Sequence, residues 1–93
     1  MYTELRWDEG KREGNLRKHG FDFQDAWQVF AGPTLTFGDD RFHYPEVRFV
    51  TIGFLHGRAV TLVHTESAGI VRVISLRKAT RHEQAELFNQ LQN

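Results

Sequence analysis

The sequence predicts an α+β domain with a mainly antiparallel sheet. Three observations carry this. Residues 46–78 hold three runs of β-branched and aromatic residues, EVRFVTIGFL, RAVTLVHT and IVRVISLRK, joined by the short turn signals HG and ESAG. Ahead of them lie two stretches with helix start and stop signals. Behind them a capping box opens a final amphipathic segment.

Leu5-Arg6-Trp7 is a short extended lead-in and a candidate edge strand. Asp8 suits a helix N-cap, with Glu9 placed favourably in the first turn, and the helix runs to His19 before Gly20. This helix is unusually polar: Leu16 is the one large apolar residue between Trp7 and Phe21. Its basic end, Arg17-Lys18-His19, complements the negative pole of the helix dipole. Asp22 opens a second, short helix in which Phe23, Trp27 and Phe30, with Ala26 beside them, form an apolar stripe expected to pack on the sheet. Gly32-Pro33 ends it, and Thr34 to Phe37 reads as a short strand.

Gly38 to Pro45 reads as a polar, solvated loop. Asp39 and Asp40 are adjacent carboxylates without spaced partners, which makes a poor cation site. His43 and Tyr44 precede the first long strand and are placed to fold over its polar end or to pack within the loop.

The three long runs form a β-meander. His56-Gly57 between Leu55 and Arg58 suits a two-residue hairpin in which both central residues take positive φ. Pairing then follows by counting: Leu55 faces Arg58, Gly53 faces Val60, Thr51 faces Leu62, Phe49 faces His64 and Val47 faces Glu66. The alternate set pairs Phe54 with Ala59, Ile52 with Thr61, Val50 with Val63 and Arg48 with Thr65. Alternation puts Glu46, Arg48 and Thr65 at one end of one face. That grouping is either a small polar site or a wet cross-strand cluster. The third run is open in register by one residue: either Ile70, Arg72, Ile74 and Leu76 join the Arg48 face, or Val71, Val73, Ser75 and Arg77 do. After Ala79, Thr80 to Glu83 forms the capping box of a helix with Leu87, Phe88 and Leu91 on one face.

The 93 residues suffice for one domain with a modest core, and no linker or repeat divides them. Apolar residues are 40% and charged residues 26%, ordinary for a soluble globular protein. No apolar run approaches the roughly 20 residues of a membrane span, and the N-terminus is too polar for a signal peptide. Cysteine is absent, which removes disulfides and thiolate metal sites. A cytoplasmic protein without membrane attachment is expected. The net charge is zero, so the sum does not point to nucleic acid. Yet basic residues bunch at Lys11-Arg12, Arg17-Lys18-His19 and Arg77-Lys78 with Arg81-His82, and one basic face would attract phosphates. His19, His43, His56, His64 and His82 show no ligand-like spacing, so no metal or cofactor is expected. His64 falls on the face away from Arg48 and reads as a packed residue.

Trp7-Asp8, Asn15, Lys18-His19-Gly20, Phe23, Ala26, Val29-Phe30 and Gly32-Pro33 together resemble the opening of the BrnT toxin family. Glu46-x-Arg48, Ile52-Gly53, Gly57-Arg58, Val63, Thr65-Glu66, Arg72, Ile74-Ser75-x-Arg77-x-Ala79 and Glu83 continue the resemblance in order. It covers almost the whole chain, as one toxin domain over residues 1–93. The chain departs from the family's common pattern at Ser67, where Arg is frequent, at Leu76, where Ala is common, and at Phe88, where Tyr is common.

What the resemblance implies is a small ribonuclease toxin with a RelE-like fold: two N-terminal helices on one sheet face, and the RNA site beside the C-terminal helix on the other. It implies a ribbon-helix-helix antitoxin of the BrnA type, a complex of two toxins with two antitoxins, and repression of the operon through operator DNA bound by the antitoxin. RNA can be cut without a metal by attack of its own 2′-hydroxyl on the adjacent phosphate. Glu46 or His19 would serve as general base or acid, and Arg48 and Arg72 would hold the phosphate. Ser75 and Arg77 would complete the pocket, with Lys18 and Lys78 on flanking phosphates. Two other classes compete: a partner-binding module without catalysis, favoured by Ser67, and a toxin of the same fold acting on a protein target, as ParE-type relatives act on gyrase.

Overall fold

The computed structural model describes residues 4–39 and 46–92. Strand β1 (Glu4–Arg6) leads into helix α1 (Glu9–His19), and a 3-10 turn (Phe23–Asp25) runs into helix α2 (Ala26–Ala31). Strands β2 (Leu35–Asp39), β3 (Arg48–Leu55), β4 (Arg58–Ser67) and β5 (Ile70–Lys78) follow, then helix α3 (Arg81–Gln92). The strands form one five-stranded sheet in the order β1-β5-β4-β3-β2. Strand β1 runs parallel to β5, and every other pair is antiparallel. The α+β class with a mainly antiparallel sheet is therefore as the sequence predicts.

Local chemistry accounts for most element ends. The Asp8 carboxylate accepts from Lys11 N–H at 2.9 Å, and Gly20 closes α1 at φ 79° with its N–H on Leu16 C=O. Asp22 caps the 3-10 turn by accepting from Gln24 N–H at 2.9 Å. Thr80 and Glu83 exchange reciprocal bonds of 3.1 and 2.8 Å at the start of α3. His56 and Gly57 both take positive φ, and all eight β3–β4 pairs from Arg48–Thr65 to Leu55–Arg58 fall as counted.

Several expectations shift. Strand β3 begins at Arg48, so Glu46 stands in a bend outside the ladder and no Val47–Glu66 pair forms. Strand β2 runs from Leu35 to Asp39, which takes Gly38 and Asp39 out of the expected loop. The readings of Asp40, His43 and Tyr44 lie outside the described residues. Trp27 is 54% exposed, and the buried stripe is Phe23, Ala26 and Val29 with Phe30 packed beside it. Phe88 and Leu91 are also exposed, leaving Leu87 as the buried anchor of α3. The second hairpin turn is the two-residue Ala68-Gly69, with φ of 52° and 79°, because β4 extends to Ser67.

The open register of β5 resolves through a bulge. Val63 pairs with Ser75 while His64 pairs with Val73, so Ile74 is an extra residue without a cross-strand partner. Before it, Arg72 opposes Thr65; after it, Ser75 opposes Val63 and Arg77 opposes Thr61. Arg72, Ser75 and Arg77 therefore share the face of Arg48. Both registers weighed from the sequence hold, each on its own side of Ile74.

The two faces carry separate cores. Phe21, Phe23, Ala26 and Val29 pack with Leu55, Val60, Leu62, Val73 and Leu76 on one. Leu87 packs with Val50, Ile52 and Ala79 on the other. Gly53 lets α2 approach β3: a Cβ there would meet Val29 Cγ1 at 2.9 Å. Asn15, from the polar α1, is buried and ties that helix to β5. Its amide accepts from Leu76 N–H at 3.1 Å and donates to Leu76 C=O at 2.9 Å and Phe21 C=O at 3.0 Å. Beyond the three residues paired with β1, a side-chain amide thus stands in for a neighbouring strand.

Asn15→Ala would leave these buried backbone groups without partners, a cost of about 3 kcal/mol. Thermal unfolding should show a midpoint lower by about 10 °C or more. Asn15→Asp, which keeps the acceptor and loses both donors, should recover little of it.

Candidate nucleic-acid interface

On the α3 side of the sheet, one row of side chains crosses every strand. Arg6 on β1 pairs with Arg72 on β5, Arg72 with Thr65 on β4, Thr65 with Arg48 on β3, and Arg48 with Asp39 on β2. Helix α3 sits over the neighbouring rows of Thr61 and Val50, through Glu83 and Leu87. The Cα atoms of Arg48 and Arg72 flank Thr65 and lie two strand spacings apart, roughly 10 Å. Guanidinium groups on such long side chains can converge on one anion above Thr65. Arg72 is exposed and makes no hydrogen bond or ion pair among the described residues. Arg6 pairs with Glu4 of its own strand.

Like charges directly opposite each other weaken a sheet. Arg6 against Arg72 is such a pair, in a protein whose formal net charge is zero. Three arginines thus stand in one row at one end of one face, with Asp39 at its β2 end and Glu4 paired with Arg6. Arginine forks donate paired hydrogen bonds to phosphate oxygens and keep their charge at any working pH.

The remaining predicted residues separate into groups. Glu46 is exposed, in a bend two residues before Arg48. Ser75 is half-buried on the same face, one row nearer α3. Arg77 is two rows from Arg72, roughly 13 Å along the strand direction, and holds Glu83 with bonds of 2.8 and 3.0 Å. Lys78 pairs with Val60 at the far end of β5. Lys18 and His19 occupy the last turn of α1, whose flanking residues Trp7 and Phe21 pack on the opposite face. The fold therefore sets Arg48, Arg72 and Ser75 on one face and keeps Lys18, His19 and Lys78 apart from them, while Glu46 lies outside the ladder, two residues ahead of Arg48. Arg6 escapes sequence reasoning, because its place depends on a parallel pairing with a strand more than sixty residues away.

Glu83 is the hub that fixes α3. It takes Arg77, the Thr80 N–H at 2.8 Å and the Thr61 hydroxyl at 2.9 Å. Burial alone would raise its pKa, but the bonds from Arg77, Thr80 and Thr61 outweigh that and hold it at about 2. Among the described residues, no group of three His, Asp or Glu side chains is gathered as metal ligands, and no helix is long and apolar enough to cross a membrane.

Fold and site together define a small α+β domain with an arginine row suited to the phosphates of a nucleic acid. Residues 7–83 match the family model described as the ribonuclease toxin, BrnT, of type II toxin–antitoxin systems. The chain belongs to that family, which implies an RNA target and an antitoxin partner. It is also similar to the crystal structure of the Brucella abortus ribonuclease toxin BrnT, with 28% identity and a TM-score of 0.68. That likeness covers 85% of this chain and 99% of the Brucella one. No curated protein matches the sequence.

The depressed pKa of Glu83 sets a pH dependence. A carboxyl held below its ordinary 4.5 contributes stability above that pH, and the contribution is lost as pH falls toward about 2. Between about pH 5 and pH 2, wild type should lose about 2 kcal/mol more stability than Glu83→Gln, as read by denaturant unfolding.

Proposed function

We propose that this protein is an endoribonuclease toxin that cuts RNA without a metal ion, and that the arginine row is where the scissile phosphate binds. The observation that carries this reading is the register that sets Arg6, Arg72, Thr65 and Arg48 in one row across the sheet. Arg48 and Arg72 donate to the phosphate oxygens and oppose the negative charge that grows as the 2′-hydroxyl attacks. Arg6, though paired with Glu4, adds a third positive charge to the row.

Glu46 is the favoured proton acceptor for the 2′-hydroxyl. It is exposed beside Arg48, whereas His19 belongs to the helical layer on the opposite side. A carboxylate within hydrogen-bond reach of the attacking hydroxyl performs this step without a metal. Ser75 contacts the flanking backbone. Arg77 acts through Glu83, holding α3 in place, and Lys18 and Lys78 bind phosphates farther along an RNA.

In the cell, the partner is a BrnA-like ribbon-helix-helix antitoxin that covers the row, in a complex of two toxins with two antitoxins. The complex binds operator DNA through the antitoxin and represses its own operon. All of this takes place in the cytoplasm.

Expression of the chain alone in bacteria should arrest growth and lower pulse-labelled protein synthesis, with rescue by the antitoxin gene. Normal growth with abundant folded protein would overturn the nuclease reading in favour of a non-catalytic binding module. Arg72→Ala should cut the rate of RNA cleavage about a hundredfold, the usual loss for one transition-state donor. Its unfolding midpoint should not fall, since the guanidinium has no partner among the described residues to lose and its repulsion with Arg6 is removed.

A further inference from the structure

On the α2 side of the same sheet end, a chain of polar groups runs through the core. Thr36 Oγ1 lies 2.8 Å from Thr51 Oγ1, and Thr51 Oγ1 lies 2.7 Å from His64 Nε2. Among the described residues His64 Nδ1 makes no hydrogen bond, and it faces Glu66 Oε1 at 3.6 Å. Thr51 and His64 are fully buried, and His64 stacks on Phe49 and meets Phe30 edge-on. Both outer ends of the chain, Thr36 and Glu66, line one cavity of about 630 Å³, with Phe30, Ser67, Ala68 and Val71. That volume is typical of a small-ligand site.

The chemistry of the chain states what the cavity accepts. A carboxylate beside Nδ1 favours the tautomer with its proton there, so Nε2 accepts from Thr51 and Thr51 accepts from Thr36. The Thr36 proton is then committed inward, and its lone pairs face the cavity. Glu66 faces the same space as an anion. Both ends are acceptors, so phosphate and carboxylate ligands are repelled and a ligand rich in N–H donors is drawn in. Phe30 and Val71 add apolar wall for a flat ring.

We infer that this cavity holds a guanine base of the RNA, next to the phosphate gripped by the arginine row. Guanine is the base whose Watson–Crick edge offers two adjacent donors, N1–H and N2–H, to match the two oxygens of Glu66. Adenine and cytosine present one amino group there, and uracil one N–H. The row and the cavity are joined by a single peptide bond, since Thr65 stands in the row and Glu66 lines the cavity. A strand held by the row on one side delivers its neighbouring base over the β4–β5 turn to the other.

The inference rests on the nuclease reading, and two measurements keep the two separable. In the first, the folded full chain is titrated with guanosine and with adenosine while the His64 and Phe30 ring resonances are followed by NMR. Guanosine should shift both and bind about tenfold or more tightly than adenosine. Glu66→Gln should remove that preference without unfolding the chain, because the Glu66 side chain is 47% exposed. Equal binding of adenosine, an unchanged preference in Glu66→Gln, or preferential binding of free arginine would overturn the inference. In the second, cleavage sites on a mixed RNA are sequenced. A guanosine at one fixed position from the cut, lost in Glu66→Gln, supports it. Cleavage without any such position overturns the guanine pocket and leaves the nuclease reading standing. Guanosine binding by a chain that leaves RNA uncut overturns the nuclease reading and, with it, the placement beside a scissile phosphate.

Discussion

The extra residue in β5 is the constraint on which the rest of the structure depends. A regular strand would put Arg72 on the face of Leu76 and Arg77 on the face of Val73. One strand would then bury a cation or expose part of its core. The bulge at Ile74 removes the conflict: Val71, Val73 and Leu76 enter the core beneath α2, and Arg72, Ser75 and Arg77 emerge on the other side. Bulges twist and bend the strand that carries them, and they weaken the local ladder. The weakening falls where β1 has already ended. There Asn15 takes both backbone groups of Leu76, so the strand just past the bulge is held by a side chain.

The arginine row follows from that arrangement. Cations set opposite one another destabilise the sheet, and Arg72 has no partner among the described residues. Stability is supplied elsewhere, chiefly by the two apolar clusters and by the Glu83 hub, which joins Arg77, Thr61 and the N-terminus of α3. This division lets the open end of the sheet be specialised for an anion, while the covered end carries the packing.

Elements governed by neighbouring residues were legible in the sequence. The His56-Gly57 turn fixed the β3–β4 register to the residue, and Thr80 and Glu83 marked the start of α3. The caps at Asp8 and Gly20 did the same for α1. Elements governed by distant contacts were not. An inserted residue such as Ile74 leaves the composition of a β-rich run unchanged, so two registers looked equally good. Trp27 was misplaced because a 3-10 turn precedes α2, and its tighter winding shifts the phase of the apolar stripe. Glu46 was read into β3, which in fact begins at Arg48. Arg6 and the partners of Asn15 depend on long-range pairing that no local pattern records. The family, by contrast, was recognisable from motifs spread along the chain, and the match over residues 7–83 agrees.

A net charge of zero is a poor guide to what this molecule binds. At physiological salt the Debye length is about 8 Å, so an approaching RNA phosphate senses the charges nearest to it and little of the distant remainder. Near the row those charges are Arg6, Arg72 and Arg48, with Asp39 closing the row on β2 and Glu4 paired with Arg6. One strand residue farther on and through the sheet, the nearest charge is Glu66. Charges on the two sides of one thin sheet end cancel in the sum and remain distinct in space. Such an edge can attract the backbone of a nucleic acid on one side and refuse it on the other, leaving the second side to the bases. The asymmetry arises from the alternation of Thr65 and Glu66 along β4, the simplest consequence of an extended chain.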